Sequence, residues 1–476
     1  MKCLLFILIF FIALNIFAVK APVLPTDPLD PNSPEFDIDA TENIGSMFGN
    51  SYARGSSTKD INLYVNQVRN TISYGLDNQV IEIVKSLKRS RDGEYNSLLE
   101  KRLHKTFNIE LKGAILDLFL SLKYGGGIDV ANSILDTYES KRYPNSLINR
   151  AILYLKELGN KDDLKRVLID ILENKEGNIV ATAAYYLGEI SAIEYSKNMI
   201  DIYDKYSGND MVRAAILVAL GKSNAFEYGN KIYEISMDNY ENPTIKASAI
   251  KALSYLAPEK ITENVEFYLQ NNNNNSNIKF AIIEALSRDV SLKSKEVLQD
   301  FLRDSDETLR IRAVNAIKGH GDISAREALV YKVKSDPSFK VREASGKALV
   351  DMGSGYEDIK NIIIEPTVEN NFKFTMFNYL LDKNVDFAFL IALELLKKEN
   401  INKPSKLLSD IAVLLAARKG NFDDFYSKII NSKNIDLRNL AIKGAVYNKS
   451  SALENRLKEI KRITTSEYLK KLLKNY

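Results

Sequence analysis

A chain of 476 residues, 45% of them apolar, is long enough for about three ordinary domains or one continuous array, with ample material for a core. One Cys and two His exclude a disulfide scaffold and any Cys/His zinc module. Sixty-five Lys and Arg against sixty-two Asp and Glu leave a net charge of +3, too small an excess for a dedicated nucleic-acid binder.

The amino terminus reads Met1-Lys2-Cys3, then Leu4 to Phe17 as an apolar run broken only by Asn15. A cationic start, an apolar stretch of this size and small residues at Ala18 and Ala21 compose a secretory signal peptide over residues 1–21. The run falls short of the roughly 20 residues of a spanning helix, so export and cleavage are expected, with an uncleaved anchor as the alternative. A cut after Ala18 avoids placing Pro22 just behind the scissile bond. Cys3 precedes the apolar run, where a lipoprotein cysteine would not stand.

Residues 22–58 form an arm. Pro22, Pro25, Pro28, Pro31 and Pro34 place one proline per turn of a polyproline II helix, which stays extended at about 3.1 Å per residue. Between residues 22 and 53 the arm carries six acidic residues and no Lys or Arg. With the leader and the arm set aside, residues 54–476 hold a charge of +7. The arm reads either as a stiff spacer ending in a Gly/Ser-rich linker or as a docking peptide for a partner that binds proline-rich segments. Residues 59–105 predict two or three helices forming an N-terminal cap.

From residue 106 to about 460 the chain repeats itself. Val212-Arg213-Ala214-Ala215-Ile216-Leu217-Val218-Ala219-Leu220 matches Ile245 to Leu253, Ile278 to Leu286, Leu309 to Ile317 and Val341 to Leu349. Weaker copies begin near 111, 148, 179, 372, 407 and 437. Eleven units at a period near 32 exclude a set of unrelated domains. Each block is a helix, since Val212, Ala215, Ile216, Ala219 and Leu220 fall on one face. Positions 214/217, 247/250, 280/283, 311/314 and 374/377 are apolar too, which requires cover on several sides. Alanines at 219, 252 and 285 permit close helix approach. Asn242-Pro243, Asp336-Pro337, Asn209-Asp210 and Asp306 read as helix starts. Second helices fill the remainders, as at Tyr228 to Met237, Ile261 to Leu269 and Lys295 to Leu302. Paired helices that cannot bury their faces alone must stack, so the predicted fold is an all-α solenoid of about eleven two-helix units.

The Val-Arg-x-x-Ala-x-x-Ala-Leu-Gly pattern, complete at Val212 to Gly221 and nearly so at Val341 to Leu349, resembles HEAT repeats, in particular the short bacterial HEAT-like kind found in bilin-attaching lyases. The resemblance covers about three quarters of the chain and implies an armadillo-like helical solenoid that binds proteins. No Trp and no Thr-Pro-Leu-His set it apart from tetratricopeptide and ankyrin arrays.

A cation stands at the second position of the blocks: Lys112, Arg213, Lys246, Lys279, Arg310, Arg342, Lys373 and Arg438. The first turn of a helix is electrostatically wrong for it, so something must compensate, and Asp210, Asp306, Asp336 and Asp436 are at hand. The cations read either as a ladder tying neighbouring units or as a basic strip, joined by Lys251 and Lys347, for an anionic partner. No catalytic, metal or cofactor constellation is expected: His104 and His320 are distant in the array, and His320 is expected in the turn after a helix. Gly125-Gly126-Gly127 and Gly353-Ser354-Gly355 read as turns between helices, and Asn271 to Asn275 as a polar loop. Residues 461–476 complete a basic C-terminal helix; over 449–476 eight Lys and Arg face three Glu, a surface for anionic lipid, an acidic protein or solvent alone.

Taken together the sequence predicts a non-enzymatic, exported scaffold, in the periplasm or cell envelope or on the cell surface. Its expected partners are proteins, with peripheral contact to an anionic membrane and no nucleic acid. A lyase-like or enzyme-accessory protein holding a small ligand, and a surface adhesin, are the alternatives.

Overall fold

The structure, a computed structural model, describes residues 58–476 apart from 138–141, 176 and 273–274. The leader over 1–21 and the prolines Pro22, Pro25, Pro28, Pro31 and Pro34 lie outside the described residues. Among the described residues there are 27 α-helices, three short 3-10 turns and no strand. The fold is an all-α solenoid. Two compact units divide the chain, Met1–Ala219 and Leu220–Tyr476, with the boundary inside the helix Asp210–Lys222.

All eleven repeat blocks are helices. In the first unit Ile109–Ser121 packs on Asn145–Leu158, and that on Asn178–Glu189. Three helices precede them (Thr58–Tyr74, Asp77–Ser90 and Asn96–Lys105), and Asp77–Ser90 packs on Ile109–Ser121 as the next block helix would. In the second unit Pro243–Leu256, Ser276–Leu286, Glu307–His320, Phe339–Asp351, Asn370–Lys383, Lys406–Ala417 and Ile435–Tyr447 each pack on the one that follows. A companion helix joins each to the next, as Gly229–Met237, Leu292–Phe301 and Arg326–Ser335 do.

Packing explains the composition of the blocks. Val212, Ile216, Leu217, Ala219 and Leu220 are buried, and so are their counterparts Ile245, Ala249, Ile250, Ala252 and Leu253. At roughly 1.5–3 kcal/mol for each large aliphatic side chain removed from water, such faces outweigh any single polar contact in the array. Of the extra apolar positions, Leu217, Ile250, Ile283, Val314 and Phe377 are buried, whereas Ala247, Phe280, Ile311 and Phe374 are only half-buried. The small residues set the helix spacing. A Cβ added at Gly188 would stand 2.7 Å from the Cα of Ala219, and one at Gly221 would stand 2.6 Å from the Cα of Ala252. These two glycines exist because backbone meets backbone there.

Caps fix where helices begin, and most are short polar side chains. Asn242 Oδ1 accepts from the Thr244 amide at 2.8 Å with Pro243 behind it, and Asp306 Oδ1 accepts from the Thr308 amide at 2.7 Å. Asp336 does not cap. The helix starts at Phe339, so Ser338 takes the cap position and Asp336 turns to an ion pair. The expected single helix from Ile261 to Leu269 is broken into Pro258–Glu263 and Val265–Asn272, because Asn264 Nδ2 donates to the Lys260 carbonyl at 2.9 Å and competes with the backbone ladder. Residues 449–476 likewise form two helices, Glu454–Ile463 and Glu467–Leu472, since Thr464 Oγ1 takes the Ser466 amide and Ser466 caps the second. His320 is the last residue of its helix rather than a turn residue, with Gly321 in the left-handed region at φ 60°. Asn271 is helical, and Asn275 caps the helix Ser276–Leu286.

Candidate partner-binding surface

Some of the repeated cations meet the loops that lead into the block helices. Lys279 Nζ lies 2.7 Å from Asp304 Oδ2. Asp304 and Ser305 in turn give their carbonyls to Arg310 Nη1 at 2.8 and 3.0 Å, while Arg310 Nε and Nη2 grip the Asp336 carboxylate at 3.0 and 2.9 Å. Arg342 Nε donates to the Val333 carbonyl, its guanidinium lies 3.5 Å from Glu369, and it stacks over the Phe372 ring. Arg310 therefore binds the loop of its own unit and the loop of the next, and Arg342 binds the companion helix of its own unit and Glu369 ahead of the next block helix. Asp304, rather than the expected Asp306, completes the Lys279 rung, because Asp306 is held by its capping bond.

Burial decides how accessible this line is. The Arg310 and Asp336 side chains are 8% and 1% exposed, and Lys332 adds a second cation to Asp336 at 3.2 Å. Burial by itself would raise the Asp336 carboxyl, but bonds from Arg310, the Ser338 amide and Lys332 outweigh it and hold the group below the usual carboxylate range. Asp304 is held down in the same way by Lys279, the Asp306 amide and Arg310. Arg213 donates to the Tyr203 hydroxyl at 2.6 Å and stacks on its ring. Lys112, Lys246 and Lys373 are buried, Lys112 donating to the Leu103 carbonyl at 3.2 Å. Arg438 is half-exposed and shares none of these contacts. Lys251 pairs with Glu284 at 3.4 Å and Lys347 with Glu343 at 2.7 Å. Most of the line is spent on the fold, and little of it faces a partner.

The buried lysines carry a testable cost. Burial lowers the Lys246 pKa, against the opposing pull of Asp238 and Glu241. A base whose folded pKa lies below its unfolded value weighs against folding at neutral pH, and that cost fades as pH climbs from the folded toward the unfolded value. Lys246→Met is expected to be neutral or to stabilise by about 1 kcal/mol at pH 7. Melting curves at neutral and alkaline pH check it: the gain over the parent should shrink as the pH rises.

A different set of side chains faces solvent at a repeated position. After the helices Asn178–Glu189, Asp210–Lys222 and Glu307–His320 the backbone enters the left-handed region at Ser191, Asn224 and Gly321. The following residue, Ala192, Ala225 or Asp322, is buried, and the next, Ile193, Phe226 or Ile323, opens a 3-10 turn and points outward. In the second unit Phe226 is 61% exposed and Ile323 64%; Leu292, which opens the helix Leu292–Phe301 without such a turn, is 79% exposed. Single exposed apolar residues mean little, but one held out by the same turn at Ile193, Phe226 and Ile323 is a surface feature. The sequence carried a signal for it: Ala192-Ile193-Glu194-Tyr195 recurs as Ala225-Phe226-Glu227-Tyr228, 33 residues later. His104 is exposed on Asn96–Lys105 in the first unit, and His320 Nε2 is 3.1 Å from the Ser287 carbonyl in the second. Among the described residues no group of three His, Cys, Asp or Glu could hold a metal ion, and no helix is long and apolar enough to cross a membrane.

Comparison with known proteins gives one family. The model described as Spirochaete HEAT repeat protein matches residues 72–475. No curated protein matches the chain. Among solved structures, a mutant of Kap121p is similar over 87% of this chain at 10% identity with a TM-score of 0.35, and Kap121p bound to Ste12p over 88% at 11% identity with a TM-score of 0.33. The chain spans about half the length of these structures, 53% in each case.

Proposed function

Since the chain belongs to the Spirochaete HEAT repeat protein family, we propose that it is an exported, non-enzymatic scaffold of the cell envelope whose solenoid binds protein partners. The observation that carries this reading is the set of outward apolar residues in the second unit, Phe226 and Ile323 on turns fixed by a left-handed residue and Leu292 at the start of the helix Leu292–Phe301. The cation ladder supports it by a different route, because it stiffens the frame on which those residues stand. Binding by such a surface sums several modest apolar contacts, each costing little ordering entropy because the turns are already fixed. The export part rests on the leader, Met1 to Ala21, and the proline arm then serves as a spacer or hook between the solenoid and another envelope component.

Cross-linking in intact cells, followed by mass spectrometry of captured proteins, tests the scaffold. A reproducible partner is expected, and the triple change Phe226→Ser, Leu292→Ser and Ile323→Ser is expected to lose it while leaving the melting temperature near that of the parent. Retention of the partner by the triple variant overturns the assignment of the surface. Amino-terminal sequencing of the protein from the envelope fraction tests export, with Val19 expected as the first residue.

A further inference from the structure

The carboxyl-terminal end of the second unit carries cations that no carboxylate side chain among the described residues pairs with. Within residues 449–476, Glu454, Glu459 and Glu467 pair with Lys458, Arg456 and Lys470 respectively. All three acids of the segment are thereby consumed. Lys449, Arg462, Lys471 and Lys474 are exposed and, among the described residues, have no carboxylate side chain within ion-pair distance. Lys461 Nζ donates to the carbonyls of Lys474 at 3.1 Å and Tyr476 at 2.7 Å. That clip, with Leu469 and Leu473 buried, holds the end of the chain against Glu454–Ile463 and sets Lys474 near Lys461 and Arg462. Two large apolar side chains of the same segment are also without cover, Ile463 at 69% exposed and Tyr468 at 57%.

We propose that this end is a docking surface for an anionic lipid bilayer. The combination decides the occupant. Unneutralised Lys and Arg match a layer of anionic head groups, each worth about fivefold in partition near such a surface. An exposed Ile and Tyr in the same segment match the boundary between head groups and acyl chains, where an aromatic ring with a polar tip is at ease. A purely acidic protein face would satisfy the cations and leave Ile463 in water. The surface uses none of Phe226, Leu292 and Ile323, so it stands or falls apart from the partner-binding reading.

The test is co-sedimentation of the protein from Val19 to Tyr476 with phosphatidylcholine vesicles containing phosphatidylglycerol and with pure phosphatidylcholine vesicles. Binding to the anionic vesicles alone, weakened by salt, is expected. The variant Arg462→Glu, Lys471→Glu, Lys474→Glu is expected to lose more than about a hundredfold in partition. Ile463→Ser with Tyr468→Ser is expected to lose about tenfold or more. All five positions are exposed, so melting curves should stay near the parent's; a charge variant that melts early is replaced by the Gln series at the same three positions. Absence of binding, equal binding to both vesicles, or full binding by the charge variant overturns the proposal. So does capture by soluble polyglutamate that ignores the Ile463 and Tyr468 changes, which would identify an acidic polypeptide instead.

Discussion

Replacing Asp336 by alanine is expected to destabilise the Leu220–Tyr476 unit by about 3–5 kcal/mol, the cost of breaking a buried ion pair and stranding one partner. The stranded partner is Arg310, 8% exposed, which would keep only the carbonyls of Asp304 and Ser305. Arg310→Ala is expected to fall at the low end of that range, because Asp336 retains Lys332 and the Ser338 amide. Replacing both at once, Arg310→Met with Asp336→Leu, is expected to recover much of the loss, since an apolar pair needs no desolvation of charge. Equilibrium unfolding in denaturant measures all three. The acid side supplies an independent readout. The folded Asp336 carboxyl titrates below its unfolded value, so its contribution is fully present above about pH 4 and is lost as pH falls through the folded value. The parent should therefore lose stability on acidification more steeply than Asp336→Asn. A partner-binding role for the line predicts the opposite pattern, with stability untouched and only capture lost.

The second large effect reverses the usual sign of a helix substitution. Gly to Ala inside a helix ordinarily gains about 1 kcal/mol. At Gly221 the new Cβ would lie 2.6 Å from the Cα, 2.8 Å from the carbonyl oxygen and 3.0 Å from the Cβ of Ala252. Backbone cannot swing aside as a side chain does, so the helices Asp210–Lys222 and Pro243–Leu256 must separate at this point. Gly221→Ala is expected to cost about 1–3 kcal/mol, and Gly221→Val more. Gly319 is the control, because a Cβ there meets nothing within 4 Å and the propensity gain should survive. Opposite shifts of the melting temperature for the two alanine variants would establish that backbone approach, not glycine itself, is what Gly221 supplies. Shifts of the same sign would refute it.

The fold was legible because the block helices state it several times over. Val212 to Leu220 and its copies carry the 3.6 period, the buried alanines and the near-constant spacing in one string of residues. Legibility failed where a residue's role depends on the path of a loop. Asp306 and Asp336 look alike in sequence, each just ahead of a block helix, yet Asp306 caps and Asp336 anchors an arginine, because Pro337-Ser338 push the helix start two residues further on. The second-position cations were visible as a line. Their acceptors were not, since carbonyls such as those of Asp304, Ser305 and Val333 have no sequence signature. The outward Ile193, Phe226 and Ile323 each depend on a left-handed residue two positions earlier, which at Ser191 and Asn224 is not a glycine and so gave no turn signal.

The rungs have one more effect, on how much the units can differ in size. Lys279 finds its acid 25 residues on, Arg310 finds its own 26 residues on, and Arg342 reaches Glu369 one residue further still. Because these long, jointed side chains close on loops and not on a neighbouring helix surface, their reach absorbs an added or missing residue in the intervening segment. A helical array clamped in this way can vary in step length from one module to the next without losing alignment, much as a chain of links of unequal length still hangs straight when every pin has play.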